Sequence, residues 1–471
     1  MIEKIARETQ LITKYLNIVE YYNLVYSVNI PIPFPVLNPS VFKESIQKIK
    51  VKDPSTVMFL NTDMLDDANF KYLLAKKCNR QINGIILNPG TSLEQKKSTL
   101  LSWSVNDSTL ELDTIRKLFY YLEPKLTQSE ISLVYTGCCK HGLLDLFMHL
   151  KGKYNVDPSE AENRAIINVS SNGNEQIFDI LVADPRVNPA CKNNVPFVMA
   201  AKGGHFSILK KLYNMPNVYP FAQENAAIRQ ACTYGHLEIV QFLLLDHRVD
   251  PSVIRNECIR QAAMNNHDKI VELLLQDPRV DPRDEGDYSI QEACARGNTK
   301  VVQVLLKDGR ADPTANGNAS FKFACNYNHH EIVKLLIDDK RVDIACDDYE
   351  PLRLACEKGH SKVIELLLAL DVNVNCRDGF PLASACGRGK LDAIKLLLAD
   401  KRIDPNGGGG FALQVAVSID RLDIVQLLAA HPKFEFTIKA YNMAKKRDPS
   451  SEITKLFESD SVFMTKVNQS G

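Results

Sequence analysis

A 31-residue period governs the middle of this chain. Alanine recurs at this spacing at Ala231, Ala262, Ala293, Ala324 and Ala355. Arginine recurs between the alanines at Arg248, Arg279, Arg310 and Arg341. Histidine forms a third column at His205, His236, His267, His329 and His360, with Asn298 in the unit between. A fixed period of about 20 to 50 residues is typical of a solenoid, in which stacked units contact only their neighbours. The sequence therefore predicts a fold without a single central core.

One unit, residues 256–286, shows what each repeat contains. Cys258–Met264 is compatible with a short helix, and the two asparagines after it favour a turn. Asp268–Leu275 has apolar residues on one helical face and predicts a second helix. Arg279–Pro282 is predicted to be extended, and Arg283–Tyr288 to form a tight hairpin tip. Because helices this short are marginal alone, neighbouring units must supply the missing burial.

The units resemble the ankyrin repeat. Ala231–Leu244 and Ala355–Leu368 each combine the alanine, a Gly-His turn and a leucine-rich second helix, and the likeness extends over residues 165–428. The resemblance implies a mainly α, ankyrin-type helical-repeat solenoid with short β-hairpin and extended connectors. It also implies a non-enzymatic scaffold that binds a protein partner on its concave face. The unit has 31 residues where the family has about 33, so shorter hairpins are expected.

Five regions are predicted along the chain. They are an N-terminal helical region over 1–95, degenerate repeats forming an N-terminal cap over 96–164, regular repeats over 165–432, a divergent C-terminal cap repeat over 433–460, and a polar tail over 461–471. Divergence at both ends is expected, because a terminal unit must expose one face to water.

The first 30 residues weakly resemble an F-box. Tyr15-Leu16, Glu20 and Leu24 match its pattern, whereas its Leu-Pro opening is missing. With an F-box, the protein would be a substrate receptor of a ubiquitin ligase, and its partners would include a ligase adaptor. The alternative is a helical cap on the array.

Composition narrows the range of partners. The chain has 57 Lys+Arg and 57 Asp+Glu, and this balance disfavours a nucleic-acid partner. No apolar run approaches the roughly 18 residues of a membrane helix. Residues 1–10 lack the apolar core of a secretory signal. We therefore expect a cytoplasmic monomer that binds neither nucleic acid nor a membrane.

Several residues suggest chemistry but are better explained by the repeat. One cysteine column follows the alanines, at Cys232, Cys294, Cys325, Cys356 and Cys386. Equivalent positions in packed helices are about 8–10 Å apart, too far for a disulfide, which predicts buried thiols. The histidines are predicted to serve the turn and cap the second helix. Gly407–Gly410 lacks the Gly-Lys-Ser/Thr of a phosphate loop and is predicted to be a flexible finger. We predict no catalytic residue, cofactor or metal.

The connectors carry a recurring Asp-x-Arg-Val-Asp-Pro pattern. The arginines and the second aspartates, such as Arg279 and Asp281, recur in register. The pattern predicts an alternating arginine–carboxylate ladder along one edge of the array.

The candidate partner-binding residues are those that vary while their neighbours repeat. The residue just before the turn is one such position, and Tyr and Arg are enriched in binding hot spots. At the helix ends the predicted residues are Tyr234, Arg296, Tyr327, Lys358 and Arg388. On the fingers they are Tyr288, Tyr349 and Arg377. The alternative is that this face is only solvated and the contact lies elsewhere.

Overall fold

The computed structural model describes residues 92–105 and 112–470. Over these residues the chain forms 25 α-helices and one 3-10 turn, with no strand. The predicted helical-repeat solenoid is thus confirmed. The F-box-like segment and nearly all of region 1–95 lie outside the described residues. The predicted boundaries between regions stay predictions.

The described residues divide into two compact units, the first ending at Asn188 and the second beginning at Pro189. In the first unit the helices are α1 (Leu93–Val105), α2 (Leu112–Leu122), α3 (Gln128–His141), α4 (Leu144–Lys153), α5 (Glu160–Asn172) and α6 (Glu175–Val182). In the second they are α7 (Cys191–Gly203), α8 (Phe206–Tyr213), α9 (Ala222–Tyr234), α10 (Leu237–Leu244), α11 (Val253–Met264), α12 (Asp268–Leu274), α13 (Asp284–Arg296), α14 (Thr299–Asp308), α15 (Ala315–Asn326), α16 (His330–Asp339), α17 (Cys346–Lys358), α18 (Ser361–Leu368), α19 (Cys376–Gly387), α20 (Leu391–Ala399), α21 (Gly407–Ser418), α22 (Leu422–Ala429), α23 (Ile438–Arg447), α24 (Glu452–Ser459) and α25 (Ser461–Ser470).

Within each unit the helices pack in two rows. First helices such as α9, α11 and α13 pack against one another, and second helices such as α12 and α14 do the same. Between the rows lie Ile259 and Ala262 of α11 and Ile270 and Leu274 of α12, all at most 1% exposed. Burial of each large apolar side chain contributes about 1.5–3 kcal/mol. The 31-residue period in the sequence therefore reflects the recurrence of the same buried positions in every unit.

The predicted hairpin tip is a three-residue left-handed turn. At the start of α13, the φ angles of Glu285, Gly286 and Asp287 are 56°, 69° and 64°. Because the unit is two residues shorter than the family repeat, the tip closes without paired strands, and the β-hairpin expectation is not met in the described residues. A non-glycine residue in this conformation costs about 1–2 kcal/mol, least for Asn and Asp.

The third residue of the left-handed turn ties the two ends of a unit together. Oδ1 of Asn256 accepts the backbone N–H of Asp281 at 2.9 Å, and the same 25-residue bond recurs in neighbouring units. In the other units the side-chain oxygen again accepts a backbone N–H: Asn194 from Tyr219, Asn225 from Asp250, Asp287 from Asp312 and Asn318 from Asp343. Asparagine here both tolerates the left-handed backbone and satisfies a donor in the connector.

The arginines do not form the predicted ladder with the second aspartates. Arg279 instead donates two hydrogen bonds to the carboxylate of Asp277 in its own unit, from Nε at 3.0 Å and from Nη2 at 2.7 Å. Its Nη1 donates to the carbonyl of Val249 in the preceding unit at 2.8 Å. Oδ1 of Asp281 is occupied by the N–H of Arg283, two residues on. The predicted ladder of direct ion pairs is therefore wrong: Asp277, two residues earlier, takes the guanidinium, and a backbone carbonyl makes the link between units. The hydrogen bonds to Asp277 raise the pKa of Arg279, and Asp250 of the preceding unit contributes only a longer-range attraction that helps to raise it.

The histidines lie at the turn, as predicted, but they do not cap the second helix. His267 is at the N-cap of α12 without a capping side-chain bond. Its Nε2 lies 3.1 Å from the carbonyl of Thr233 in the preceding unit. The ring also covers Gly235, where an added Cβ would come within 2.5 Å of Cε1. The Gly-His pair thus joins one unit to the next.

The glycine run at the start of α21 is closely packed. An added Cβ at Gly407 would lie 3.1 Å from Cα of Gly379, and one at Gly408 would lie 2.8 Å from the carbonyl oxygen of Asp378. The run forms the left-handed turn of its unit, as its place in the repeat predicts. The close approach to α19 accounts for Gly407 and Gly408, whereas a Cβ at Gly409 would meet nothing within 4 Å and one at Gly410 would lie 2.6 Å from Cγ2 of Thr437.

The cysteine prediction is confirmed over the described residues, where all eleven cysteines are buried and free. Burial raises the pKa of Cys386 to about 12, and burial also raises the pKa of Cys346, to about 11. These thiols are therefore protonated at neutral pH and serve as small apolar side chains.

The C-terminal end differs from the predicted polar tail. Residues 461–470 form α25, and Phe463 is buried, with its ring centroid 5.6 Å from that of Phe436 and 5.7 Å from that of Phe457. These aromatic rings cover part of the face that the last helix pair, α23 and α24, would otherwise expose.

Replacing Asp287 by asparagine should stabilise the array. Asp287 stands where most other units have an asparagine as the third residue of the left-handed turn. Burial raises the pKa of Asp287, and repulsion from nearby Asp312 and Asp281 raises it further. A group with a raised folded-state pKa opposes folding above that pKa, and its penalty fades as pH falls towards the unfolded-state value. We expect Asp287→Asn to raise the free energy of unfolding by about 1 kcal/mol near neutral pH, and less in acid.

Urea denaturation of the wild type and of Asp287→Asn, near neutral pH and in acid, measures this difference in the free energy of unfolding. The reverse change, Asn225→Asp, is the matched control and should lower stability near neutral pH. An effect of Asp287→Asn that is absent at neutral pH or larger in acid would contradict this account.

The Gly-His contact predicts unequal costs for two similar substitutions. Gly235 and Gly309 have φ angles of 83° and 81°, so alanine at either position costs about 1 kcal/mol in backbone strain. A Cβ at Gly309 meets nothing within 4 Å, whereas one at Gly235 meets His267. Gly235→Ala should therefore destabilise by about 1–2 kcal/mol more than Gly309→Ala in urea denaturation. Equal losses would show that the histidine contact does not constrain this glycine.

Candidate functional site

The five predicted helix-end residues lie at one structural position in successive units. α9 ends at Tyr234, α13 at Arg296 and α17 at Lys358, while Tyr327 and Arg388 directly follow α15 and α19. We call this position the helix-end column. Its members from α9 to α21 are Tyr234, Asn265, Arg296, Tyr327, Lys358, Arg388 and Ile419. Since packed helices are about 8–10 Å apart, the structure brings the predicted residues into one row, interrupted by Asn265.

Side chains in this column are exposed although their helices are core elements. Tyr234 and Tyr327 are 50% and 53% exposed, whereas Ala231 and Ala324, three residues earlier, are 0% exposed. Packing therefore fixes the alanine and leaves the helix-end residue free to vary. Exposed tyrosines with few rotatable bonds are suited to binding, because little side-chain entropy is lost on contact.

The polar contacts in the column are weak. The ammonium group of Lys202 lies 5.3 Å from the ring centroid of Tyr234. Nη2 of Arg388 lies 2.6 Å from Oε1 of Glu357, and 63% of the Arg388 side chain remains exposed. Lys358 makes no ion pair with any residue in the part of the chain that the structure describes. Exposed pairs of this kind contribute about 0–1 kcal/mol, so a partner can replace them.

Two further contacts in the column stay within one unit. Arg296 pairs with Glu292 one turn earlier at 3.1 Å. The ring of Tyr327 lies 6.4 Å from that of Phe323 and 6.5 Å from that of His329, by centroids. These neighbours orient the side chains without burying them.

The three predicted finger residues lie at the opposite end of the first helices. Tyr288 follows the left-handed turn of α13, and the eight residues from there to Arg296 span about 12 Å of helix. Tyr349 is the half-buried third residue of its turn, with φ 57°. Arg377 is the first residue of its turn, and its Nε lies 3.3 Å from Oδ2 of Asp348. The predicted site residues therefore form two rows and not one cluster.

A cation column beside the left-handed turns was not foreseen from the sequence. Nε and Nη2 of Arg260 donate to the carbonyls of Arg255 and Ile254 at 2.8 and 3.0 Å. The same guanidinium lies 5.7 Å from the ring centroid of Tyr288 in the next unit. Equivalent cross-unit contacts join Arg229 to Glu257, Lys322 to Glu350 and Arg353 to Phe380. The 31-residue repeat of these cations was visible in the sequence. The contact with Arg260 shows that the Tyr288 ring already serves a contact between units.

A connector patch of exposed apolar residues was also missed. We define it as Tyr219, Phe221 and Leu245, which are 47%, 39% and 85% exposed. The next unit has Asp250, Ser252 and Gln276 at the equivalent positions. A comparison of the repeats position by position would have found the patch, because polar residues at all three positions give way to large apolar ones.

The patch replaces a local polar motif. In the next unit, Oδ1 of Asp250 accepts the N–H of Ser252 at 2.9 Å and its hydroxyl at 2.7 Å. Here the rings of Tyr219 and Phe221 are 5.7 Å apart, with the Arg248 guanidinium 5.6 Å from the Phe221 centroid. This unit therefore has exposed aromatic rings where the next unit has the hydrogen-bonded Asp250–Ser252 turn. That difference makes the connector patch a second candidate surface.

Other features of the described residues suggest little chemistry. A groove of about 540 Å³ runs between α12 and α14, with Leu275 and Val304 in its wall and charged residues such as Glu272 and Lys307 around it. No group of three or more His, Cys, Asp or Glu in the described ranges is placed to hold a metal ion. None of the helices in these ranges is long and apolar enough to span a bilayer.

Comparison with known proteins agrees with this architecture. The family model for ankyrin repeats (3 copies) matches residues 166–255, 259–348, 290–378 and 352–440. Among solved structures, the human ASB11 ankyrin repeat domain is similar, with 20% sequence identity and a TM-score of 0.35. That match covers 42% of this chain and 94% of the human domain. No curated protein sequence matches the chain. Because the family matches extend over more than half of its length, this protein belongs to the ankyrin-repeat family.

Proposed function

We propose that this protein is a non-enzymatic scaffold that binds a protein partner on the helix-end column, the row that the family resemblance places on a concave face. Ankyrin repeats indicate a protein–protein interaction domain, and the fold is typically non-enzymatic. The observation that carries the proposal is the half-exposure of Tyr234 and Tyr327 in a column whose neighbouring alanines are fully buried.

The helix-end column is a better candidate than the turn residues. Tyr288 lies against Arg260, and Arg377 pairs with Asp348, so both side chains already serve contacts between units. Tyr349 is half-buried within its turn. We therefore assign these three residues a secondary role at the edge of the contact.

The proposal places the protein in the cytoplasm as a monomer. Free buried thiols, such as those of Cys294 and Cys325, suit a compartment in which glutathione keeps cysteine reduced. The ubiquitin-ligase alternative depends on residues 1–30, which lie outside the described residues, and it stays a prediction.

Removing the central aromatic and cationic side chains should strongly weaken partner binding. We expect the double variant Arg296→Ala/Tyr327→Ala to retain its fold, since both side chains are exposed, and to bind its main partner at least about 30-fold more weakly. Affinity purification with quantitative mass spectrometry identifies the partner, and titration of that partner against both proteins measures the loss.

The connector patch provides the matched control. Changing Tyr219→Asp, Phe221→Ser and Leu245→Gln installs the residues of the following unit. This variant should keep the partner affinity, and its stability should be unchanged or improved. If this variant loses the partner while the helix-end variant keeps it, the binding surface is the connector patch and the proposal is wrong.

A further inference from the structure

We propose that the segment bound by the helix-end column is acidic and extended, with the polyproline II conformation and a carboxylate at every third residue. This inference rests on the proposed function and adds the chemistry of the partner. It comes from three features of the helix ends: their charge, their unpaired cations and their spacing.

The charge at the helix ends is strongly one-sided. We define the helix-end band as each helix-end residue from Tyr234 to Ile419 together with the two residues that follow it. Its cationic side chains are Arg296, Lys358, Arg388, Lys390 and Arg421, and its one carboxylate is Asp420. The band therefore carries five cations and one acid in a chain whose total charge is zero, and this excess favours a negatively charged partner.

Two of these cations have no acid partner. Lys358 and Lys390 are exposed and make no ion pair with any described residue. The stem of Lys390 packs on Gly359, where an added Cβ would lie 2.7 Å from Cδ, and this contact holds the side chain at the junction of two units. The ammonium groups of Lys358 and Lys390 are therefore the available anchors for carboxylates.

The remaining cations, Arg296, Arg388 and Arg421, have acid partners, but their own side chains stay 50%, 63% and 39% exposed. Arg388 pairs with Glu357, and Arg421 pairs with Asp423 at 2.7 Å with 39% of its side chain exposed. Such exposed pairs are weak, and a carboxylate from a partner can compete for the guanidinium. Apart from Arg296, which ends α13, the unpaired and weakly paired cations lie in consecutive units between α17 and α22.

The spacing of the units selects the conformation of the partner. Equivalent residues of packed helices lie about 8–10 Å apart. A polyproline II helix rises about 3.1 Å per residue and repeats every three residues, so side chains on one face recur about every 9 Å. A β-strand alternates its side chains and would turn every third residue away from the band. Polyproline II segments also dock well on exposed aromatic rings, which Tyr327 and Tyr234 provide.

The probe is a fluorescein-labelled peptide of about 12 residues that repeats Glu-Pro-Pro, titrated against the full chain in low salt by anisotropy. We expect binding that weakens as salt rises. A peptide of the same composition with its glutamates clustered at one end should bind at least about threefold more weakly, because only one or two carboxylates then reach cations. A Lys-Pro-Pro repeat should not bind.

The double variant Lys358→Glu/Lys390→Glu should bind the Glu-Pro-Pro peptide about tenfold more weakly or worse. Lys334→Glu/Lys395→Glu is the matched control, because it makes the same charge change at exposed lysines on the second helices α16 and α20. The control should keep the wild-type affinity, and thermal melting checks that both variants are folded.

Four outcomes would overturn the inference. They are no binding of the Glu-Pro-Pro peptide to the wild type, equal affinity for the clustered peptide, an equal loss in both double variants, or tighter lysine-dependent binding of a single-stranded oligonucleotide. In any of these cases, a partner that still depends on Arg296 and Tyr327 would leave the proposed function standing. Loss of that dependence, by contrast, would remove the proposed function itself.

Discussion

The dependence of each short helix on its neighbours is the constraint from which the rest of this structure follows. Second helices such as α10 and α12 have only about two turns, and helices of that length are marginal in water. Burial of Ile259 and Ala262 between the helix rows supplies what isolated helices lack. Because every unit must offer the same surface to the next, residues inside the rows are constrained to recur at a fixed period, and only residues outside them are free to differ.

Polar side chains complete the join between units by bonding to the backbone of a neighbour. His267 contacts the carbonyl of Thr233, and Arg279 donates to that of Val249. Each bond satisfies a carbonyl at a helix end or in a connector, where the helix leaves backbone groups unpaired. The recurring histidines and arginines therefore fix the position of one unit on the next, and their regularity reflects architecture and not chemistry.

The sequence predicted the helices, the buried columns and the exposed helix ends, because these depend on periodicity within a unit. It did not predict the partners of the polar residues, which depend on how units are offset in space. Arg279 was expected to contact a carboxylate of the ladder, yet the acid two residues earlier and a carbonyl 30 residues earlier are closer. The sequence likewise predicts a hairpin tip where the structure has a left-handed turn, because Asn and Gly favour both. The sequence assigned the candidate residues to helix ends and to fingers, and the structure separates these two rows by the length of a first helix, about 12 Å between Tyr288 and Arg296.

The helix dipole explains why the helix-end column is basic. The C-terminus of a helix carries a partial negative charge, so a nearby cation contributes about 0.3–1 kcal/mol and an acid opposes folding by a similar amount. Arg296 and Lys358 end their helices, and Arg388 directly follows one, so each stabilises the array while it remains exposed. Folding and the proposed recognition of an acidic partner then favour the same sign of charge at this column. An ankyrin array of this design can present cations along its helix ends without loss of stability, and the natural complement of such a surface is an acidic segment that matches the spacing of its units.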